Sequence, residues 1–177
     1  NISREIKMKK IIIIFSLFFF FVTVEAKGPK KSKHALFEIG PKANVYIGNG
    51  DTEFGIGVEG IANPVKSLGV RFNITEFLFS DPISFNLNYG SQFSPNFEVL
   101  YYIPMPDLEP YIHGGFGLAI EGSHASFLFS GGMGFNYQFN PATKFFVEPG
   151  VIVCKPVVGD AQTIFRLSLG ARFGLLK

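Results

Sequence analysis

Cysteine is nearly absent from this chain of 177 residues: Cys154 stands alone, which excludes an internal disulfide and any cysteine-rich metal site. Charge is sparse too. Asp, Glu, Lys and Arg make up 17% of the residues, and the net charge of +2 comes largely from Lys9, Lys10, Lys27, Lys30, Lys31 and Lys33 near the start. That clustering implies no nucleic-acid surface. No helical period appears after residue 26, and no glycine loop of the phosphate-cradling kind. "GGFG" and "GGMG" alternate inside strand-like runs, where glycine serves packing. What the chain has in quantity is apolar material: 47% hydrophobic residues, 22 of them Phe. This is too apolar for a disordered chain, and the length suits one domain.

The start reads as an export signal. Residues 1–7 look like an upstream extension, and residues 8–26 have three parts: Met8-Lys9-Lys10, the apolar "IIIIFSLFFFFVTV" from Ile11 to Val24, and a small-residue cleavage site ending at Ala26. The apolar run is shorter than the roughly 20 residues that span a bilayer as a helix. No cysteine follows it, so a lipid anchor is not indicated. Residues 27–35 then form a basic leader, "KGPKKSKH" and Ala35, in which His34 is expected to be disordered.

From residue 36 to 177 one pattern repeats. In "LFEIGPKANVYIGNG", Phe37, Ile39, Pro41, Ala43, Val45 and Ile47 alternate with Glu38, Gly40, Lys42, Asn44 and Tyr46. Side chains alternate across a strand, so this strand has an oily face and a sparsely charged, glycine-rich one. Similar runs recur to the end, separated by "GNGD" at 48–51, "NP" at 63–64 and 140–141, "SDP" at 80–82 and "VGD" at 158–160. The pattern predicts an all-β antiparallel meander.

Two barrels compete, one with the oily face inward and one with it outward. Volume decides between them. A small barrel holds only a thin filling of side chains, whereas the oily face carries Phe37, Phe54, Phe72, Phe85, Phe97, Phe116, Phe127, Phe129, Phe135, Phe145, Phe165 and Phe173. The other face is mostly Gly, Ser and Asn, far from the ~25–35% charge of a soluble exterior. The expectation is an up-and-down transmembrane β-barrel with a packed polar interior, closed because lipid tolerates no open sheet edge. Nine runs are visible, but an even number is required. The short run Ile83–Gly90 is set aside within an outward loop at 80–96, leaving eight strands, with ten as the alternative.

The inner face then carries Glu38, Lys42, Glu59, Arg71, Glu98, Glu148, Arg166 and Arg172, with Glu53, Glu121 and Lys144 nearer the rims. Turning five basic residues to mid-bilayer lipid, at ~2–4 kcal/mol each, would cost very roughly 10–20 kcal/mol, so the register is strongly fixed. The ions are expected to pair in a network that plugs the lumen, because breaking a buried pair costs about 3–5 kcal/mol. Glu76 alone points outward in this register. Pro41 and Pro149 each remove a ladder hydrogen bond, and β-bulges are expected at both. His113 is expected to hydrogen-bond in the lumen.

Three stretches resemble a known family: "EPYIHGGFGLAI" at 109–120, a proline-aromatic strand start with alternating glycines; "NPATKFFVEPG" at 140–150, a turn into an upward strand; and "FRLSLGARFG" at 165–174, a final strand. Together they resemble the small outer-membrane barrels of the OmpA/OmpX type in Gram-negative bacteria. The chain departs from that family in following Phe173 with "GLLK", where the family's last strand usually ends in Phe. The resemblance implies an outer-membrane location after Sec-type export and cleavage near Ala26. As partners it implies lipid and the barrel-assembly machinery; the chain is expected to be a monomer, and its residues show no nucleic-acid stripe, metal cluster or cofactor motif. Some barrels of this size are lipid A acyl hydrolases, and "EGSHASF" at 121–127 offers His124 and Ser126 at H-x-S spacing with Glu121 nearby. Two residues at that spacing are weak evidence. The reading adopted is a non-enzymatic, closed-lumen barrel with a structural or envelope-interaction role; the alternatives are the hydrolase and a narrow pore.

Overall fold

The structure, a computed structural model, describes residues 34–48, 50–79, 84–87, 95–105, 108–121 and 124–176. The predicted extension 1–7, the export signal 8–26 and leader residues 27–33 lie outside them. The strands are β1 (Phe37–Gly48), β2 (Asp51–Val65), β3 (Leu68–Leu78), β4 (Ser84–Leu87), β5 (Phe97–Tyr102), β6 (Leu108–Glu121), β7 (His124–Asn140), β8 (Thr143–Pro156) and β9 (Gln162–Leu176).

Eight of them close into an antiparallel up-and-down barrel in the order β1-β2-β3-β5-β6-β7-β8-β9, with β9 returning to pair with β1. Alternation of apolar and polar residues drives this, since each strand satisfies its backbone on both sides and keeps two unlike faces. β4 is the odd run: it pairs with β3 from Thr75↔Leu87 to Leu78↔Ser84. That stretch is expected as loop, but it pairs along the edge of β3 that β5 occupies nearer the terminal end, so β4 prolongs the column of β5 without adding a ninth, and the count is eight and not ten.

One end of the barrel gathers Phe37, Leu176 and the turns after β2, β5 and β7; we call it the terminal end. The opposite, loop end carries the turns after β1, β3, β6 and β8, including Gly50 (φ 86°) and Gly159 (φ 120°). Those two backbones are left-handed, a conformation that glycine adopts without penalty.

Five features depart from the sequence expectations. First, Glu76 points inward, only 2% exposed. The β2–β3 pairing steps from Val58↔Thr75 to Glu59↔Asn73, so Ile74 is an extra residue on β3. This β-bulge inverts the alternation: Gly69, Arg71 and Asn73 are buried before it, Glu76 and Leu78 after it.

Second, no bulge marks the prolines. The β1–β9 ladder skips from Ile39↔Phe173 to Lys42↔Gly170, and the β7–β8 ladder from Gly132↔Gly150 to Phe135↔Val147, each with equal numbers of residues on both sides. The missing N–H of Pro41 and Pro149 interrupts pairing without shifting register. Third, Asn63 and Pro64 belong to β2, and the turn falls at Lys66–Ser67.

Fourth, the interior is not uniformly polar. Tyr46, Leu78, Ala119, Leu128, Ile152, Cys154 and Ile164 form a buried apolar cluster toward the loop end, and Ile61, Leu100, Tyr102 and Tyr111 a second one. The backbone alternation turns these positions inward whatever residue occupies them. Fifth, His34 is ordered and enclosed, its side chain 4% exposed.

Candidate functional site

The charged interior is the chemically richest part of the molecule. Glu38, Lys42, Glu59, Arg71, Glu98, Glu148, Arg166 and Arg172 are all buried, each turned inward by its strand. Two bridges span the lumen between opposite walls. Arg71 on β3 donates to Glu148 on β8 from Nη1 to Oε2 (2.5 Å) and from Nη2 to Oε1 (2.8 Å). Arg166 on β9 donates to Glu98 on β5 from Nη2 to Oε1 (3.0 Å) and also reaches Glu148 Oε1 at 2.9 Å. Three strands lie between the partners on either side in each case, so they face each other across half the circumference of an eight-stranded ring.

Secondary contacts engage further lone pairs of Glu98 and Glu148. Glu98 also accepts from Arg71 Nε (2.8 Å) and Ser130 Oγ (2.8 Å). Glu148 also accepts from the Tyr111 hydroxyl at 2.8 Å. Arg172 donates to Glu59 Oε1 at 2.7 Å and to Asn136 Oδ1 at 2.7 Å, with its guanidinium 3.9 Å above the Phe146 ring. Lys42 donates to Asn73 and lies 4.0 Å from Glu59 Oε2. A buried ion is tolerable only when it is both paired and hydrogen-bonded; each of these ions is paired, but Arg166 Nε and Nη1, Glu59 Oε2 and Glu38 Oε2 are buried without a hydrogen bond.

Toward the terminal end lies a second group. Lys144 donates to Glu38 Oε1 at 2.8 Å, and Asn136 Nδ2 donates to Glu109 Oε1 at 3.0 Å. Toward the loop end, Glu76 accepts from Asn44 Nδ2 and the Tyr46 hydroxyl, each at 2.5 Å. Glu53 is half-buried near that rim.

Glu109 lies two and four residues before Tyr111 and His113 on one strand face, a spacing visible in the sequence. Glu76 was hidden by the bulge. Nothing in the sequence signals His34.

His113 Nδ1 lies 3.1 Å from Glu98 Oε1, and Nε2 lies 3.5 Å from Glu148 Oε1. Glu98, His113 and Glu148 thus present three potential metal-ligand atoms within 4.8 Å of one another. The cation already seated there is Arg166, whose Nη2 contacts both carboxylate oxygens. A divalent ion would have to displace a guanidinium, so the trio is read as part of the ion network.

At the loop end, Glu121 of β6 pairs directly with His124 of β7, and Ser126, half-buried, pairs with Ala119. The side chains of Glu121 and His124 lie outside the described residues. What the structure contributes to the hydrolase alternative is therefore backbone juxtaposition alone.

The fold and interior define a closed antiparallel barrel with a salt-bridged lumen. No family model matches the chain, and no curated protein matches it. Among solved structures, a designed transmembrane β-barrel is 14% identical, with 82% of this chain and 100% of that chain covered at a TM-score of 0.47. The N-terminal β-barrel domain of Pseudomonas aeruginosa OprF is 12% identical, with 83% and 100% covered at a TM-score of 0.46. OmpT of Vibrio cholerae is 9% identical, with 81% and 99% covered at a TM-score of 0.17. At these scores the likenesses fix neither family nor role.

Proposed function

We propose that the chain is an integral outer-membrane β-barrel with a closed lumen, non-enzymatic, serving a structural or envelope-interaction role. The observation that carries the reading is the outer wall. Phe116 (63% exposed), Phe129 (55%) and Ile112 (54%) stand fully outward, as do Phe54, Phe127, Phe145 and Leu169. Among the described residues, the exposed charges are Asp51, Lys66, Lys155 and Asp160, all at strand ends or in turns. A continuous apolar belt of this kind exceeds what monomers in water display.

Strand lengths support the same reading, since most exceed the roughly 9–11 residues that cross a bilayer obliquely. The terminal end has two-residue turns at Lys66–Ser67 and Pro141–Ala142, whereas the loop end includes the long 80–96 segment; that asymmetry suits a periplasmic terminal end. Two bridges cross the middle of the lumen, which favours a closed barrel over a narrow pore.

The test is reconstitution. Chain lacking residues 1–26 is expected to require detergent, to insert into lipid vesicles and to give no steady current in planar bilayers. Solubility without detergent would overturn the membrane assignment. Large ohmic steps would overturn the closed lumen. Lipid A analysed by mass spectrometry before and after expression is expected to keep its acyl chains; a lost chain would favour the hydrolase.

A further inference from the structure

His34 precedes the first strand, yet the barrel encloses it. Its ring stacks on Tyr102 of β5, centroids 4.0 Å apart and planes inclined by 28°. Nε2 lies 2.9 Å from Glu109 Oε2 of β6, and Lys144 of β8 places Nζ 2.6 Å from Nδ1. Glu38 of β1 holds Oε1 3.6 Å from the same Nδ1.

The adjoining backbone is gripped as well. Asn63 of β2 donates from its main-chain nitrogen to Leu36 O at 2.8 Å and from Nδ2 to Ala35 O at 2.8 Å. On β9, a Cβ added at Gly174 would come within 2.7 Å of Ala35 Cβ, so glycine there makes room for the segment. Strands β1, β2, β5, β6, β8 and β9 therefore all contact three residues that belong to none of them.

We propose that His34 and Ala35, anchored through the Leu36 carbonyl, are a built-in stopper seated in the terminal end of the lumen, with His34 as a pin that proton binding tightens. The charges facing the ring are Glu38, Glu109 and Lys144, two carboxylates against one ammonium. A proton on His34 makes that group neutral. A neutral ring accepts from Lys144 at Nδ1 and donates from Nε2 to Glu109. A charged ring donates to Glu109 and turns its Nδ1–H toward Glu38 Oε1, 3.6 Å away, which requires Lys144 Nζ to draw back from Nδ1.

Burial opposes charge on the ring, but hydrogen bonds to Glu109 and then Glu38 outweigh it, with Lys144 opposing more weakly, so the pKa stands above the ordinary 6.5. The folded state then holds the proton more tightly than the unfolded chain. The stabilisation is fully present below the ordinary value and fades as pH rises through the raised one. The inference rests on the closed-lumen part of the proposed function and not on its membrane part.

Hydrogen–deuterium exchange read by mass spectrometry tests it, in detergent or in buffer, whichever keeps the chain dissolved. Peptides containing residues 34–38 and Asn63 are expected to exchange severalfold more slowly near pH 5 than near pH 8, the range over which histidine switches, after correction for intrinsic rates. His34→Ala is expected to exchange fast at both pH values, and His34→Gln, a neutral hydrogen-bonder, at a rate independent of pH, both with sheet circular dichroism intact. Free-peptide exchange in the unaltered protein near pH 5 would overturn the stopper. Unaltered pH dependence in His34→Gln would overturn the pin.

Discussion

Arg71 and Glu148 stand on opposite walls of the barrel and meet in its middle through two parallel hydrogen bonds, at 2.5 and 2.8 Å. The pair ties β3 to β8, strands that share no backbone ladder. A closed barrel gains its shape from neighbour-to-neighbour pairing; cross-lumen bonds add rigidity along the diameter.

Arg71→Met should therefore cost about 3–5 kcal/mol, the price of stranding a buried partner. Adding Glu148→Gln should restore part of the loss. Denaturant unfolding in detergent measures both, and strictly additive losses would show that the two groups do not interact.

Two glycines make a controlled pair. A Cβ on Gly40 would sit 1.7 Å from the Ala171 carbonyl oxygen, whereas on Gly114 its nearest neighbour is 3.6 Å away. Gly40→Ala should destabilise by about 1–3 kcal/mol or more through overpacking, and Gly114→Ala should stay within about 0.5 kcal/mol. Equal effects would contradict the close β1–β9 approach.

Glu76→Ala tests the β3 bulge. The change removes the carboxylate oxygen to which the Tyr46 hydroxyl and Asn44 Nδ2 donate, a loss of about 1–3 kcal/mol. Were Glu76 on the outer wall, removing its charge would instead raise stability, so the sign of the change separates the two registers.

Met133 lies near the centre of β7 and is exposed on the outer wall. In lipid, Met133→Arg should reduce stability by about 2–4 kcal/mol. A wall facing water would register about 0.5 kcal/mol or less. Folding yield and unfolding midpoint in vesicles give the answer.

Much of the architecture was visible in the residues, because a two-residue period is dictated by the backbone and survives changes of side chain. That is why β1, β5, β7 and β9 match their expected faces residue by residue. The eight ions proposed for the lumen share a face for the same reason. A bulge has no comparable signature: nothing about Ile74 or Thr75 announces an extra residue, so strict alternation puts Glu76 on the wrong side. The prolines misled in the opposite direction, since a ladder can drop a bond without gaining a residue. Leu128 and Ile152 face inward although a lipid-facing wall predicts apolar residues outward, because their backbone positions decide the side. His34 depends on contacts with strands up to 110 positions away in sequence, which no local reading detects.

β1 and β9 join along most of their length, from Phe37↔Leu176 to Ile47↔Phe165. The seam unites the segments farthest apart in the strand-forming chain, so no hairpin can make it early, and such distant pairing folds slowly. Until β9 arrives, two unsatisfied edges stand ready to recruit a foreign strand. Timing thus becomes a physical demand of the connectivity: the nascent chain needs shelter from its own kind, and losing β9 would leave a sticky open sheet rather than a smaller barrel.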